Sequence, residues 1–261
     1  MKNLIHTDHG LDILIPNWQV PEHVQAFVST RLGGVSKIPY DSLNIGKHVG
    51  DHSDHVEKNR ELLQQMLPSK PLWLNQVHGT QIWSDPQSSL EADGAVTKLA
   101  NQVLTIMTAD CMPILFCDEQ GDILGVCHAG WRGLAQGVIQ KTLDEMLFKK
   151  RPNDAKKYLS KILVYLGPTI GPRHFEVGED VFDAFSTILP MQLMETYFVP
   201  THQAGKYLAN LFAIARFQLS RKGIEGIYSD QICCFEHADL FYSHRRDTKS
   251  GRFASFLWKT L

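Results

Sequence analysis

The apolar residues of this chain fall mostly into short runs of the kind that form strands. Nine such runs are rich in β-branched, aromatic and aliphatic residues. The predicted strands are Val24–Arg31, Leu72–Val77, Val103–Met107, Met112–Cys117, Ile123–Cys127, Ile162–Leu166, Gly226–Ile232, Leu240–Ser243 and Phe253–Trp258. The pattern therefore predicts a strand-rich protein.

Helical periodicity appears in four longer segments, which are Ser53–Leu67, Gly133–Lys149, Gly178–Leu189 and Tyr207–Lys222. In the first segment Val56, Leu63 and Leu67 fall on one face, and Ser53 is placed to act as the N-cap. An apolar stripe in the last segment is assigned to the core rather than to a cofactor site.

The order of the predicted elements indicates the fold class. Predicted strands cluster before and after the predicted helices, so a repeating βαβ array is disfavoured. We expect an α+β fold of mixed β-sheets flanked by helices, forming a single compact domain over residues 1–261. The polar stretch Lys149–Lys161 is the only plausible connector between two halves, and it is short enough to be a loop.

Composition narrows the possible partners. The 26 basic and 28 acidic residues give a formal charge of −2, so no bulk field attracts nucleic acid or an anionic membrane. Met1–Gly10 lacks the apolar core of a secretory signal, and no apolar run is long enough to span a bilayer. The five cysteines, an odd number, favour reduced thiols. We expect a soluble protein of the cytoplasm.

Three reactive residues, His78, Cys111 and His128, stand at the ends of predicted strands. They are far apart along the chain and form no Cys-x-x-Cys pair. By position alone, such a histidine is more often a surface or hydrogen-bonded core residue than a metal ligand. However, two nitrogen donors and one sulfur donor meet the requirement of a catalytic zinc site with one open position. Cys117 and Cys127, which end apolar runs, are interpreted as small buried hydrophobes.

Arginine-bearing segments indicate an anion site. In Gly130–Gly133, helix N-terminal amides and Arg132 would attract an anion, or the glycines would simply form a tight strand-to-helix turn. Two further segments, Ser29–Gly34 and Ser243–Asp247, are either part of the site or solvated loops. Because adjacent side chains point in different directions, only one of the two arginines in the latter segment is expected to enter a pocket.

Three further histidines, His48, His52 and His55, are spaced so that a helix would bring them to one side. The segment around them is rich in Gly, Asp and Ser. We interpret them as a surface cluster rather than a second metal site.

Ordered blocks along most of the chain resemble the laccase-domain or "polyphenol oxidase" proteins, described as zinc-dependent purine nucleoside phosphorylases of the YfiH type. The matching blocks are Thr30–Ser36, Ser42–Gly46, Asn75–Gly79, Ala92–Gly94, Thr108–Cys111, His128–Gly133, Gly167–Pro168, Ile170–Pro172, Ser243–Asp247 and Gly251–Arg252. They run from about Ser29 to Arg252.

The resemblance implies that His78, Cys111 and His128 are both metal ligands and catalytic residues, with zinc as the metal and copper as the alternative. It implies phosphorolysis of inosine, guanosine, adenosine and methylthioadenosine by inorganic phosphate. Deamination of adenosine is implied as a second activity. No oligomeric state is predicted.

The same blocks contain candidate residues for substrate and proton transfer. We expect Arg31, Asn44, Arg132 and Arg245 to bind substrate or phosphate, since guanidinium groups suit phosphate oxygens. Asp93 is the candidate acid for the departing ammonia.

Other functions remain open. Copper-dependent oxidation of phenols would suit two histidines and a cysteine, but none of the 12 histidines forms a His-x-His pair. A cysteine hydrolase acting on peptidoglycan precursors would use Cys111 as nucleophile and His78 or His128 as base. Chelator sensitivity distinguishes this hydrolase from a metal enzyme. A non-catalytic binding module is the least favoured function.

Overall fold

Three β-sheets and seven helices are present in the computed structural model, which describes residues 3–84, 86 and 88–261. The strands are β1 (Leu4–His6), β2 (Asp12–Leu14), β3 (Val24–Ser29), β4 (Ile82–Trp83), β5 (Gly94–Thr97), β6 (Leu104–Thr108), β7 (Met112–Cys117), β8 (Leu124–Ala129), β9 (Leu163–Leu166), β10 (Glu176–Gly178), β11 (Phe198–Pro200), β12 (Lys206–Ala209), β13 (Gly226–Ser229) and β14 (Phe253–Lys259). The helices are α1 (Ser53–Gln64), α2 (Trp131–Gln136), α3 (Val138–Lys150), α4 (Ala155–Ser160), α5 (Glu179–Ser186), α6 (Met191–Tyr197) and α7 (Leu211–Arg221).

The largest sheet has six strands in the order β13-β9-β7-β8-β5-β4. Its outer pairs β13–β9 and β4–β5 are parallel, and its other pairs are antiparallel. A five-stranded antiparallel sheet has the order β1-β2-β3-β14-β6, and a three-stranded sheet has the order β10-β12-β11. This mixture of sheets and helices in one compact domain confirms the predicted α+β class.

The core lies on both faces of the six-stranded sheet. In β7, Ile114 and Phe116 pack on one face with the helices α2, α3, α5 and α7. The alternate residues Leu115 and Cys117 pack on the other face, against the five-stranded sheet. Because both faces are buried, the strand is an uninterrupted apolar run, and each large side chain stabilises the fold by about 1.5–3 kcal/mol.

Several predicted elements are confirmed. Strand β7 has the predicted bounds, and α1 begins at Ser53 as expected. The N-cap of α1 is His52, however, because the side chain of His52 accepts a hydrogen bond from the amide of Asp54. The predicted apolar stripe of α7 is buried at Leu211, Ile214, Ala215 and Leu219.

Two predicted strands are wrong. Leu72–Val77 forms only isolated bridges, from Leu72 to Leu104 and from Asn75 to Glu91. Leu240–Ser243 is not a strand because the chain turns there, with the amides of Leu240 and Phe241 both donating to His237 O. Short strands that the pattern did not predict, such as β1, β2 and β12, complete the sheets.

Two predicted helices are divided. Gly133–Lys149 is interrupted at Gly137, whose φ of 88° ends α2 in the left-handed region before α3 begins. Tyr207–Lys222 contains the end of β12 and then α7, with Asn210 as the N-cap between them. The predicted connector Lys149–Lys161 includes α4. In the described part of the chain, no helix has the length and hydropathy needed to cross a membrane.

Candidate metal centre and its cavity

His78, Cys111 and His128 lie close together in the structure. Cys111 follows the turn after β6 and directly precedes β7, and His128 lies on β8 opposite Pro113 of β7. His78 lies on the loop before β4. The ligand atoms of the three side chains all lie within 4.8 Å of one another, and the two imidazole centroids are 4.7 Å apart. The structure thus brings together residues that are distant in sequence.

The fully buried carboxylate of Asp93 positions two of the three side chains, those of His78 and His128. Its Oδ1 lies 2.8 Å from Nδ1 of His128 and accepts a hydrogen bond from the amide of His78. Its Oδ2 accepts hydrogen bonds from the amides of Val77 and Gly79. The carboxylate therefore fixes the loop that carries His78 and directs Nε2 of His128 away from itself, toward the other two side chains.

The backbone near the centre is held in left-handed conformations by these contacts. His78 has a φ of 62° and Asp110 a φ of 95°, both uncommon for non-glycine residues. The carboxylate of Asp110 accepts hydrogen bonds from the hydroxyl of Ser243 and the amide of Arg245, each at 2.6 Å. These bonds compensate a local backbone strain of about 1–3 kcal/mol at each position.

Gly130 is required by the close packing of the centre. A Cβ atom at this position would lie 2.8 Å from Sγ of Cys111 and 3.3 Å from Cδ2 of His78. Gly130 is also the N-cap of α2, which has only six residues. The steric reason for this glycine, which the sequence left open, is therefore present, and the predicted anion at the helix N-terminus remains a prediction.

Cys111 and His128 form a strongly coupled pair. Burial alone would raise the pKa of the Cys111 thiol, but the charge of His128 and hydrogen bonds with both imidazoles lower it to about 6. Burial lowers the pKa of His128, but the Cys111 thiolate and the Asp93 carboxylate raise it to about 9. Near neutral pH the metal-free pair is therefore a thiolate with an imidazolium.

The donor set fits a zinc ion. Donor atoms of a tetrahedral zinc site that combines nitrogen and sulfur lie roughly 3.3–3.7 Å apart, and the 4.8 Å limit on the trio is compatible with that spacing. The thiol is already acidic, and one imidazole is oriented by a carboxylate through its other nitrogen, as is usual for histidine ligands. Three protein ligands leave one position for substrate or water.

The three side chains line a cavity of about 400 Å³ that has two chemically different sides. Trp131, Ile170 and Phe175 supply apolar and aromatic surface. His48 and Arg252 supply N–H groups near the three candidate metal ligands. Such a cavity suits a small molecule with a flat apolar part and an anionic part.

Not all of the predicted phosphate-binding residues line this cavity. Arg132 and Arg245 line it, with their guanidinium groups 4.5 Å from the Trp131 ring and 5.4 Å from the Phe175 ring. As expected for adjacent residues, Arg246 turns away, and its guanidinium donates to the backbone oxygens of residues 234, 235 and 241.

Arg31 and Asn44 are not among the described residues that line the cavity. Arg31 donates to the backbone oxygens of Asp41 and Ala238 and pairs with the Asp41 carboxylate. Asn44 is fully buried, and its side-chain oxygen accepts hydrogen bonds from the amides of Gly46 and Arg252.

Two cavity residues, His48 and Arg252, were not predicted as site residues. His48 was grouped with His52 and His55, whose rings lie together at the start of α1, with centroids 5.1 Å apart. Burial, and then the positive charge of Arg252, lower the pKa of His48 below its ordinary value. For Arg252, the matched block Gly251–Arg252 was the only sequence signal.

Comparison with known proteins defines the class. The model of a protein family described as multi-copper polyphenol oxidoreductase laccase matches residues 25–260. The chain belongs to this laccase-like family, which includes the YfiH-type proteins.

Relatives and solved structures agree with this assignment. The chain is 44% identical over 246 residues to a purine nucleoside phosphorylase of Pseudomonas aeruginosa, covering 94% of this chain and 97% of the relative. It is 42% identical over 251 residues to the purine nucleoside phosphorylase YfiH of Escherichia coli, covering 94% and 98%.

Among solved structures, a Neisseria meningitidis protein matches with a TM-score of 0.85 at 42% identity, covering 95% of this chain and 99% of the other. A Bacillus licheniformis protein, YfiH, matches with a TM-score of 0.86 at 29% identity over the full length of both chains.

Proposed function

We propose that this chain is a zinc-dependent purine nucleoside phosphorylase, acting on inosine, guanosine, adenosine and methylthioadenosine, with adenosine deamination as a second activity. The observation that carries the proposal is the convergence of His78, Cys111 and His128 in a cavity with basic and aromatic sides. The names of the relatives at 42–44% identity support the same reaction.

In this proposal, His78, Cys111 and His128 hold the zinc ion. When bound, zinc would act as a Lewis acid that polarises a phosphate or substrate oxygen for phosphorolysis, or would acidify water for deamination. The protein must position the nucleoside and keep the anionic co-substrate near the anomeric carbon while the purine leaves. Of the residues predicted to bind phosphate, Arg132 and Arg245 line the cavity, where they lie against Trp131 and Phe175 at the edge of its aromatic side.

The apolar side suits the purine base. Trp131 and Phe175 offer aromatic faces, and Ile170 offers aliphatic surface, all on the same cavity. A purine placed there would direct its sugar toward the metal-binding side chains and the basic side. The roles predicted for Arg31 and Asn44 gain no support, because hydrogen bonds with other parts of the chain already occupy both side chains.

Asp93 fits a positioning role better than the predicted role of proton donor. Burial alone would raise the pKa of this carboxyl, but hydrogen bonds from His128, Gly79 and Val77 keep it below its ordinary value. The group is therefore ionised at neutral pH, and both its oxygens are already acceptors. We propose that it fixes His78 and His128 and transfers no proton.

The test uses purified protein with inosine or adenosine, with and without inorganic phosphate. We expect free base and ribose 1-phosphate only when phosphate is present, and ammonia from adenosine. Cys111→Ala should abolish both reactions and lose bound zinc, whereas Cys117→Ala, which changes a buried thiol of β7, should keep both. Full phosphorolysis by metal-free Cys111→Ala would refute the proposal.

A chelator and a metal analysis separate the alternatives. A cysteine hydrolase would retain activity after chelation, since a thiol nucleophile needs no metal. A multi-copper oxidase requires several metal sites, but the described residues contain one cluster of three or more metal-binding side chains. We expect about one zinc ion per chain in protein purified without added copper.

A further inference from the structure

Arg252 is the partly buried arginine of the cavity, whereas Arg132 and Arg245 are exposed. Its Nη1 donates at 2.9 Å to the backbone oxygens of Ser250 and Gly251. Among the described residues, its Nε and Nη2 make no hydrogen bond, and no carboxylate forms an ion pair with it. By contrast, Arg31 has both Nε and Nη2 occupied by Asp41.

The backbone and stem of Arg252 are held in a cradle formed by Asn44, Ile45 and Gly46. The Oδ1 atom of Asn44 accepts hydrogen bonds from the amides of Gly46 and Arg252, both at 2.9 Å. The amide of Ile45 donates to Arg252 O. A Cβ atom at position 46 would lie 2.8 Å from Cγ of Arg252, so only glycine leaves room for the stem. The protein thus fixes this side chain in advance of any ligand.

Two acidic groups lie near Arg252, and both are used elsewhere. The Cys111 thiolate is a candidate metal ligand, and the Asp110 carboxylate accepts hydrogen bonds from Ser243, Cys234 and the amide of Arg245. The neighbouring imidazole of His48 adds a further nitrogen donor or acceptor on the same side of the cavity. A partly buried guanidinium with unused N–H groups favours an anionic ligand.

We propose that Arg252 is the main residue that binds the phosphate co-substrate, with His48 beside it, and that Asn44 and Gly46 are positioning residues for Arg252. This assignment rests on the proposed function and makes it more specific. It places phosphate beside the metal-binding side chains. Arg132 and Arg245, which are exposed and lie against Trp131 and Phe175, then border the part of the cavity that receives the base.

The test measures binding of inorganic phosphate to the zinc-loaded protein by calorimetry, without nucleoside. Arg252→Gln should weaken phosphate binding roughly 10- to 100-fold, the effect of losing a charge-assisted pair of hydrogen bonds. Arg252→Lys, which keeps the charge but not the planar fork, should recover part of this loss. Arg132→Gln should have a smaller effect than Arg252→Gln. Arg216→Gln, on the exposed face of α7, serves as the neutral control.

Zinc content and thermal melting accompany each variant, so that loss of the fold or of the metal is recognised. If Arg252→Gln retains zinc and binds phosphate as tightly as the wild type, the inference is overturned even where phosphorolysis is observed. If the wild type binds phosphate through Arg252 but forms no sugar phosphate from any nucleoside, the inference stands and the proposed function fails.

A nucleoside monophosphate serves as the second ligand. A site made for a phosphate ester would bind it more tightly than inorganic phosphate, and that result would overturn the assignment to the free anion. We expect the reverse order, because an attacking phosphate lies beside the anomeric carbon that carries the base, whereas the phosphate ester of a nucleoside 5′-monophosphate lies at the far end of the sugar.

Discussion

The two sides of the cavity are organised by different buried acceptors. On the metal side, the Asp93 carboxylate accepts the amides of residues 77–79 and contacts His128. On the basic side, the Asn44 amide oxygen accepts the amides of Gly46 and Arg252. Both acceptors fix a loop, but only one of them is charged.

The difference in charge between Asp93 and Asn44 suits the side chains that they position, His128 and Arg252. A carboxylate behind His128 favours a basic imidazole and a fixed tautomer, which a metal ligand requires. A neutral amide behind Arg252 fixes the backbone without neutralising the guanidinium. The nearby Asp51 carboxylate is itself occupied by Ser36, Asn44 and the amide of His52. The positive charge of Arg252 therefore remains available to a ligand.

The largest expected effect is the loss of zinc affinity on replacing the charged acceptor, Asp93. Asp93→Asn keeps the shape of the side chain but removes the charge and turns one oxygen into a donor that faces backbone amides. We expect zinc affinity to fall roughly 10- to 100-fold, the usual consequence of removing the carboxylate behind a histidine ligand. Competition with a chromophoric chelator measures the affinity.

The matched control for this change is Asp118→Asn. Asp118 is a buried carboxylate that accepts the amides of Asp122 and Ile123, and it lies at the opposite end of β7 from Cys111. We expect it to retain zinc. Equal loss of zinc in both variants would mean that Asp93 acts only through general stability.

Replacing the neutral acceptor, Asn44, should weaken phosphate binding rather than zinc binding. Asn44→Ala leaves the amides of Gly46 and Arg252 without an acceptor, which costs about 1–3 kcal/mol of unfolding free energy if neither finds water. We expect a several-fold higher KM for phosphate, a smaller change in kcat and unchanged zinc content, all from steady-state kinetics and metal analysis of the folded variant.

Asn59→Ala is the stability-matched control, since Asn59 is a buried asparagine that binds the neighbouring loop without contacting Arg252. It should lower the melting temperature to a similar degree with less effect on the KM for phosphate. A similar KM in the two variants would remove the distinction between fixing Arg252 and fixing the loop in general.

On the metal side, local patterns could predict where Cys111 and His128 stand, whereas their assignment as ligands also required donor chemistry and the family resemblance. The apolar runs that become β7 and β8 fix the ends of the strands, and Cys111 and His128 lie at those ends. The predicted strand Leu72–Val77 failed because its pairing is made by a side chain. The amide group of Gln76 exchanges hydrogen bonds with the backbone of Met107, in place of a strand ladder.

The basic side could not be predicted in the same way. Arg252 reaches the cavity only because the start of β14 packs against a loop about 200 residues earlier in the chain, and no local periodicity encodes that contact. His48 lies in a polar, glycine-containing segment that looks like a solvated loop. The prediction that Asn44 binds phosphate came from the matched block Ser42–Gly46. In the structure, the side-chain oxygen of Asn44 accepts hydrogen bonds from the amides of Gly46 and Arg252.

The smallest expected effect, and the most specific to the metal side, is on the pH dependence of Cys111 alkylation in metal-free protein. With a pKa of about 6, the thiol is half ionised near pH 6 and fully ionised at pH 8, whereas an ordinary thiol titrates near pH 9. The rate of alkylation by iodoacetamide should therefore rise through pH 6 and level off by pH 8. The other four cysteines are buried, so Cys111→Ala protein supplies the background.

The origin of this acidity is tested with His128→Gln. Losing the imidazolium removes the main charge that favours the thiolate, while burial still opposes ionisation, so the midpoint should move to higher pH. Zinc should suppress alkylation of the wild type at every pH, because the thiolate is then a ligand. An unchanged midpoint in His128→Gln would assign the acidity to a group other than His128 and would weaken the contrast between the two sides.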